Sequence, residues 1–280
     1  MSHVLSKNSY GKSQVRLAKV IRHNDHHDFV ELSVNIELEG DFAKSYLDGD
    51  NSPVIATDSM KNTVYVLAAD HPLTDIESFA QSLADHFLNQ YTHVAMATVA
   101  IRQDRWIRVG HDHPHAFVSG GNEKRTCKIS RRRSPASTER HGGIDELVVV
   151  KTTNSAFTGY VRDRFTTLPE TSDRIMGTSV TADWNYIVGK HDCNGVYERA
   201  RKAIIDVFAK NHSKAVQETL YQMGQAVLDA CSEIDEIAIT LPNQHRIPVN
   251  LEPFGLKNKN EIFVPQDEPF GLIKGTVRRG

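Results

Sequence analysis

Between Val30 and Leu38 the chain alternates without a break. Val30, Leu32, Val34, Ile36 and Leu38 are apolar, and Glu31, Ser33, Asn35 and Glu37 between them are polar. Successive side chains on a strand point to opposite faces, so a period of two specifies a strand with one face in a core and the other outside it. Strands of that kind belong to antiparallel sheets covered on one side only. Val15 to Arg22 reads as the strand before it. The polar stretch His23-Asn24-Asp25-His26-His27-Asp28 suits the turn of a β-hairpin.

The period then changes. After a short apolar run from Thr63 to Ala69, Thr74 and Glu77 form a capping-box pattern. Ile76, Phe79, Ala80, Leu83, Phe87 and Tyr91 follow at helical spacing. Val94–Ile101 and roughly Arg125–Arg131 read as further strands. The segment 131–143, RRRSPASTERHGG, is charged and turn-rich and reads as a junction between halves. Beyond it the order recurs. Leu147–Lys151 is a strand. One helix aligns Val196, Ala200, Ala203, Ile204, Val207 and Phe208, and a second aligns Val216, Leu220, Met223, Val227 and Cys231. Ile237–Leu241 is a strand. No literal repeat is visible, so the duplication rests on element order. The fold class is α+β, antiparallel sheets with helices on one face, in two modules, 1–136 and 137–280.

Composition closes off several functions. Lys and Arg total 33 against 35 Asp and Glu, a formal net charge of -2, which does not suit non-specific nucleic-acid binding. The three cysteines, Cys127, Cys193 and Cys231, form no CxxC pair, so neither a disulfide framework nor a structural zinc site is expected. No stretch approaches the ~18 apolar residues that would span a bilayer. The chain carries no apolar leader core and ends Arg278-Arg279-Gly280 rather than in an SKL-type peroxisomal address, so a cytoplasmic location is expected. No GxGxxG, Walker loop, GxSxG or HExxH is present, which gives no support for a nucleotide cofactor or a serine nucleophile.

The polar residues that remain are scattered. Lys12 lies in Tyr10-Gly11-Lys12, just before the first strand; alone it reads as a solvated lysine. Thr57 and Asp58 follow Val54-Ile55-Ala56, where a turn or helix cap is the ordinary reading. Arg174 ends Thr171-Ser172-Asp173-Arg174, where a surface ion pair is the default, and Phe157 reads as core. Val216 and Gln217 fall in a helix's first turn, after a Ser213 cap; backbone N–H groups there lack helical partners and can hold an anion or a carbonyl. Asn243 and His245 follow the strand ending at Leu241. His111, His113 and His115 alternate, as metal ligands on a strand would, but Pro114 opposes a central strand and no Glu or Cys spacing supports them. A polar loop is the reading kept, with no metal.

Taken in order along the whole chain, these blocks resemble the urate oxidases. The resemblance rests on Tyr10-Gly11-Lys12 with Val15-Arg16, Val54 to Asp58 with Lys61-Asn62-Thr63, and His113-Pro114-His115-Ala116-Phe117. It continues through Asn154 to Phe157, Arg162-Asp163, Thr166-Thr167-Leu168 and Asp173-Arg174-Ile175. The last blocks are Val216-Gln217 with Thr219 and Tyr221-Gln222-Met223, Leu241-Pro242-Asn243 with His245, and Gly271 to Lys274. The resemblance implies tandem tunnelling-fold modules, four chains forming a barrel-like homotetramer, and active sites between subunits. It implies that urate and O2 are the substrates and that no cofactor is needed. Lys12, Thr57 and His245 would form a proton relay. Thr57 and Asp58 of one subunit would meet Phe157, Arg174, Val216 and Gln217 of its neighbour around the purine. Thr57 and Asn243 would hold oxygen.

The implied roles suit the chemistry. Urate is a planar monoanion with two carbonyl edges. An Arg fork gives charge-assisted bidentate contact, Gln both donates and accepts, and an aromatic face stacks on the ring. Two rival readings are another tunnelling-fold enzyme acting on a purine or pterin, and a metal-binding scaffold using the His-rich loop. The first would use a metal or a catalytic Cys, and no Cys lies in a matching block. The second would have lost some of the site blocks, and all are present.

Overall fold

The computed structural model describes residues 3–110 and 112–280. The chain divides into two compact units, the first running to Gly143 and the second from Ile144 to Gly280.

In the first unit, β1 (Tyr10–Arg22), β2 (His27–Gly40), β3 (Val94–Arg108) and β4 (Phe117–Arg132) form an antiparallel meander, each strand beside its neighbour in sequence. The short α1 (Ala43–Leu47) is followed by α2 (Thr57–Asp70), which packs on β1, and α3 (Ile76–Gln90), which packs on β3 and β4. The alternation in β2 does what its period predicts. Leu32, Val34, Ile36 and Leu38 are buried with Val99 and Ile101 of β3 against Met60 and Val64 of α2 and Phe79, Leu83 and Phe87 of α3. The apolar run 63–69 therefore belongs to a helix.

β5 (Ser137–Lys151) crosses from the first unit into the second, where β6 (Met176–Tyr186), α4 (Cys193–Lys210), α5 (Val216–Ala230), β7 (Ile234–Pro248) and β8 (Phe263–Arg278) follow. A single 3-10 turn, Glu252–Phe254, lies between β7 and β8. α5 covers β7 and β8 and packs against α4. Val180, Ala182 and Trp184 of β6 meet Ile204 of α4 and Met223 and Val227 of α5 in this unit's core.

The two units close α3 and α5 in the same way. Arg133 donates from Nε to the carbonyl of Val94 at 3.0 Å and from Nη2 to those of Leu88 and Tyr91, at the end of α3. Arg279 makes the same set at the end of α5, from Nε to Ile234 at 2.9 Å and from Nη2 to Leu228 and Cys231. A cation that satisfies orphan carbonyls at a helix C-terminus is favourable both as hydrogen bond and as charge. The shared device supports the duplication inferred from element order.

Several boundaries differ from the sequence reading, for physical reasons. β3 and β4 run well beyond the apolar segments 94–101 and 125–131, because ladder hydrogen bonds carry charged residues such as Arg102 and Lys124 past the end of the core. Segment 131–143 holds the turn between β4 and β5, and the boundary between the two units falls at its end, between Gly143 and Ile144. The N-cap of α3 is Asp75 rather than Thr74, its carboxylate accepting from Ser78 N at 2.7 Å. Glu77 is buried instead, paired with Arg125 at 2.7 Å. Among the described residues no helix is long and apolar enough to cross a membrane.

Candidate active site

Lys12 is inside β1 rather than before it, and the local backbone explains its direction. Lys12 pairs with Ile36, but Val15 pairs with Val34, so one extra residue is inserted between them. Gln14 takes φ 54° in this bulge and its N–H donates to Asn35 Oδ1 at 2.7 Å. A regular strand would send Lys12 and Val15 to opposite faces; the bulge restores both to the face that carries Ile36 and Val34. Gly11 is needed beside it, since a Cβ there would lie 1.8 Å from the Ile36 carbonyl oxygen.

Tyr10 sets where α2 begins. Its hydroxyl donates to the Ile55 carbonyl at 3.2 Å and accepts from the Ile55 N–H at 2.7 Å, and its ring meets Phe42 edge-on at 4.7 Å. At the other end of α2, Lys19 of β1 donates to the carbonyls of Ala68, Ala69 and His71. β1 thus holds α2 at both ends. Thr57 and Asp58, the first two residues of α2, are exposed, and Lys12 is half-buried. Asp58 accepts from Lys61 and from Asn62. The bond to Lys61, that ion's charge and the more distant charge of Lys12 hold the Asp58 carboxyl below its ordinary value.

The second unit gathers a complementary set. Phe157 lies on a loop that pairs with Thr171 through both backbone bonds, at 2.8 and 3.1 Å. The same loop is zipped to the chain entering α5, by Ala156 N to Ser213 O at 2.7 Å and Ser213 N to Asn154 O at 2.9 Å. Arg174 stands over Phe157, its Cζ 5.1 Å from the ring centroid, and Tyr160 stacks on Phe157 at 4.7 Å. The adjacent carboxylate, Asp173, is occupied elsewhere: it accepts from Thr153 Oγ1 at 2.8 Å. Arg174 therefore forms no surface ion pair among the described residues, its Nε is buried without a partner, and desolvation presses its guanidinium below the ordinary value. A half-buried, unpaired guanidinium beside an aromatic face is a receptor for a planar anion.

The N-termini of the long helices sort into two kinds. α3 and α4 are capped by Asp75 and Asp192, whose carboxylates accept first-turn N–H groups. α2 and α5 have Ala56 and Ala215 at the N-cap, with no side-chain cap. Ser213 is not the cap of α5. It is buried, receives Thr219 Oγ1 at 2.7 Å and donates to the Ala215 carbonyl at 3.1 Å, leaving the first-turn N–H groups alone. Those groups are open to a ligand at Thr57-Asp58 and at Val216-Gln217. Val216 is buried and Gln217 exposed.

Asn243 and His245 are not on a strand exit. β7 continues to Pro248, with a register irregularity between the two residues. Asn243 pairs with Thr178 of β6, four residues beyond Arg174, and with Gly271 of β8; both Asn243 and His245 are half-buried. The structure thus brings Lys12 to Asp58 in one unit, and Phe157 to Arg174 beside the start of α5 in the other. Sequence reading missed Tyr10 as the anchor of α2; its place two residues before Lys12 on a strand is the signal.

His113 is consumed by its own loop, Nδ1 accepting from Ala116 N at 3.0 Å, and His115 packs edge-on against it at 4.8 Å. His111 lies outside the described residues.

The family model described as Uricase matches residues 8–130 and 140–274. The chain is 43% identical to the uricase of Arthrobacter globiformis over 276 residues, covering 99% of this chain and 90% of that protein. It is 38% identical to the uricase of Danio rerio over 281 residues, covering 98% and 94%. The crystal structure of the Arthrobacter globiformis uricase superposes with a TM-score of 0.95 at 42% identity, covering 100% of this chain and 96% of that one. A hyperthermostable mutant of the Bacillus sp. TB-90 urate oxidase, at 23% identity, shares the fold with a TM-score of 0.82, covering 97% and 99%. With a model match over most of its length and relatives above 30% identity across nearly all of it, the chain belongs to the uricase family.

Proposed function

We propose that the chain oxidises urate with O2 and water to 5-hydroxyisourate and hydrogen peroxide, in sites completed by a second copy of the chain. Urate gives up two electrons to O2, water supplies the hydroxyl, and the reaction balances without a further oxidant. The observation that carries this reading is the pair of uncapped helix N-termini, one beside Lys12 and the other beside the Phe157–Arg174 receptor.

Arg174 grips one edge of the urate anion with its fork, and Phe157 stacks on the ring. The Val216 N–H and the Gln217 side chain hold the opposite edge. Together they select against purines that lack the right oxygens, because buried polar groups would be left unpaired. Thr57, with Lys12 and His245, relays protons as urate becomes an electron-rich dianion, and Asp58 lines the same end. A threonine hydroxyl alone is a poor base, which is why the relay needs Lys12. Asn243 and Thr57 hold oxygen or water against the ring.

Assembly as a homotetramer is supported by two features. Among the described residues the outer edges of β1 and β8 pair with no strand, and long unpaired edges are templates for another chain. Val264, Phe270 and Leu272 of β8, with Phe254 and Leu256 before it, are exposed apolar side chains. The test is the decay of the ultraviolet band of urate on mixing with purified protein, with peroxide measured alongside. Stoichiometric peroxide supports the reading; an intact band, or decay without peroxide, refutes it.

A further inference from the structure

The β1–β2 hairpin carries a metal-ligand set separate from every residue assigned above. Arg22 pairs with His27, and His23 N donates to the His26 carbonyl at 2.9 Å, so Asn24 and Asp25 form a two-residue loop closed by a His23–His26 pair. Directly paired residues in an antiparallel hairpin share a face, and the residue two further along the strand shares it too. His23, His26 and Asp28 therefore project together. His23 and His26 stack with ring centroids 4.4 Å apart, and His23 Nε2 lies 2.9 Å from Asp28 Oδ2. His26 Nε2 is 4.0 Å from Asp28 Oδ1, and a ligand atom from each of the three lies within 4.8 Å of the others. His27, one residue out of phase, turns to the opposite face and lines a cavity with Phe29, Trp106 and His115.

A second observation points the same way. His26 Nδ1 is held by Asp25 Oδ1 at 2.7 Å. When that nitrogen carries the proton, Nε2 presents its lone pair toward Asp28. A carboxylate on the far nitrogen of a ligating imidazole is the usual support of a protein metal ligand. Asp28 is oriented in turn by Arg108, which donates to Oδ1 at 2.8 Å and leaves Oδ2 facing His23. The Arg108 charge weakens the site electrostatically while fixing the carboxylate's direction.

We propose that His23, His26 and Asp28 bind one divalent transition-metal ion, with Zn2+ the best match to two imidazoles and a carboxylate, the remaining position being filled by water. The ion crosslinks the two strands at the hairpin tip and takes no part in urate oxidation. Untagged full-length protein is titrated with Zn2+ by calorimetry, against His23→Gln, His26→Gln and Asp25→Asn. The proposal expects one site per chain, at least tenfold weaker in each His variant and roughly 10–100-fold weaker in Asp25→Asn. It also expects urate turnover to be the same in all four proteins. The turn is exposed, and circular dichroism confirms that each variant is folded. Absence of binding to the parent protein, or binding unaltered by both His substitutions, overturns the proposal. Affinity lost only in a His113→Gln, His115→Gln double variant would move the ion to the other loop and overturn it equally.

Discussion

Arg174 shows what separates the proposed substrate-binding arginine from an ordinary one. Many arginines here are spent on carboxylates or helix carbonyls, as Arg125 is on Glu77 and Arg133 on the end of α3. Arg174 has only an aromatic face, and its natural partner Asp173 is turned toward Thr153. Substituting Lys keeps the charge and removes the planar fork, so Arg174→Lys should lower kcat/KM for urate by about 1–3 kcal/mol, the range for a hydrogen bond to a charged group. Steady-state kinetics check this, and unchanged constants would mean that Arg174 does not touch the substrate. Tyr10 is the other informative residue. Tyr10→Phe keeps the ring against Phe42 but strips Ile55 of both hydrogen bonds. Stability should fall by about 1–3 kcal/mol in denaturant unfolding. Activity should fall with it, because Thr57 and Asp58 lose their anchor; a variant of full stability and full activity would show that Tyr10 is not the anchor. Nothing in the sequence around Arg174 distinguished it from a surface arginine, since its isolation depends on where Asp173 turns.

At the scale of the element, the caps separate the helices into two pairs. Asp75 and Asp192 stabilise α3 and α4 as N-caps ordinarily do, and their pattern was partly legible, displaced by one residue at Thr74. Ala56 and Ala215 are poor caps by propensity, and a poor cap at a site is where local stability gives way to ligand binding. Ala215 already has the extended backbone, φ -157° and ψ 156°, that an N-cap residue uses. Ala215→Asp should therefore stabilise α5 by about 0.5–2 kcal/mol while placing a carboxylate where an anion is expected, raising KM for urate. Thermal unfolding and kinetics on the same sample check both halves, and a lower KM would contradict the anion site. The strands of the core were legible because burial imposes a period of two. β6 carried the same signal through Val180, Ala182 and Trp184 but went unread, and most of β8 is exposed and has little pattern to read. Asn243 and His245 lie past the apolar run that ends at Leu241, whereas β7 carries Pro242 in pairing with Leu272 and continues to Pro248.

At the scale of the whole molecule, the duplicated order of strands and helices was legible, and its structural basis is plain in the matching clasps of Arg133 and Arg279. Removing either clasp takes the side-chain donor from a last-turn helix carbonyl, Leu88 in one unit and Leu228 in the other. Arg279→Ala should accordingly lower the melting temperature without changing KM, since it lies away from every proposed substrate contact. What no single chain makes legible is why the proposed site residues are so exposed: Thr57, Asp58 and Gln217 all face outward. The proposed shared site accounts for this, because each exposed set is covered by the other set from a neighbour. Thr57→Ala and Arg174→Ala, co-expressed and isolated as mixed oligomers of mass-confirmed composition, test that account most directly. Each variant alone should be inactive. Some interfaces in the mixture bring an intact Lys12–Thr57 end to an intact Phe157–Arg174 end, so the account predicts that urate turnover returns to a fraction of the parental rate. Mixed oligomers as inactive as either variant alone would contradict it and require these residues to meet within one chain.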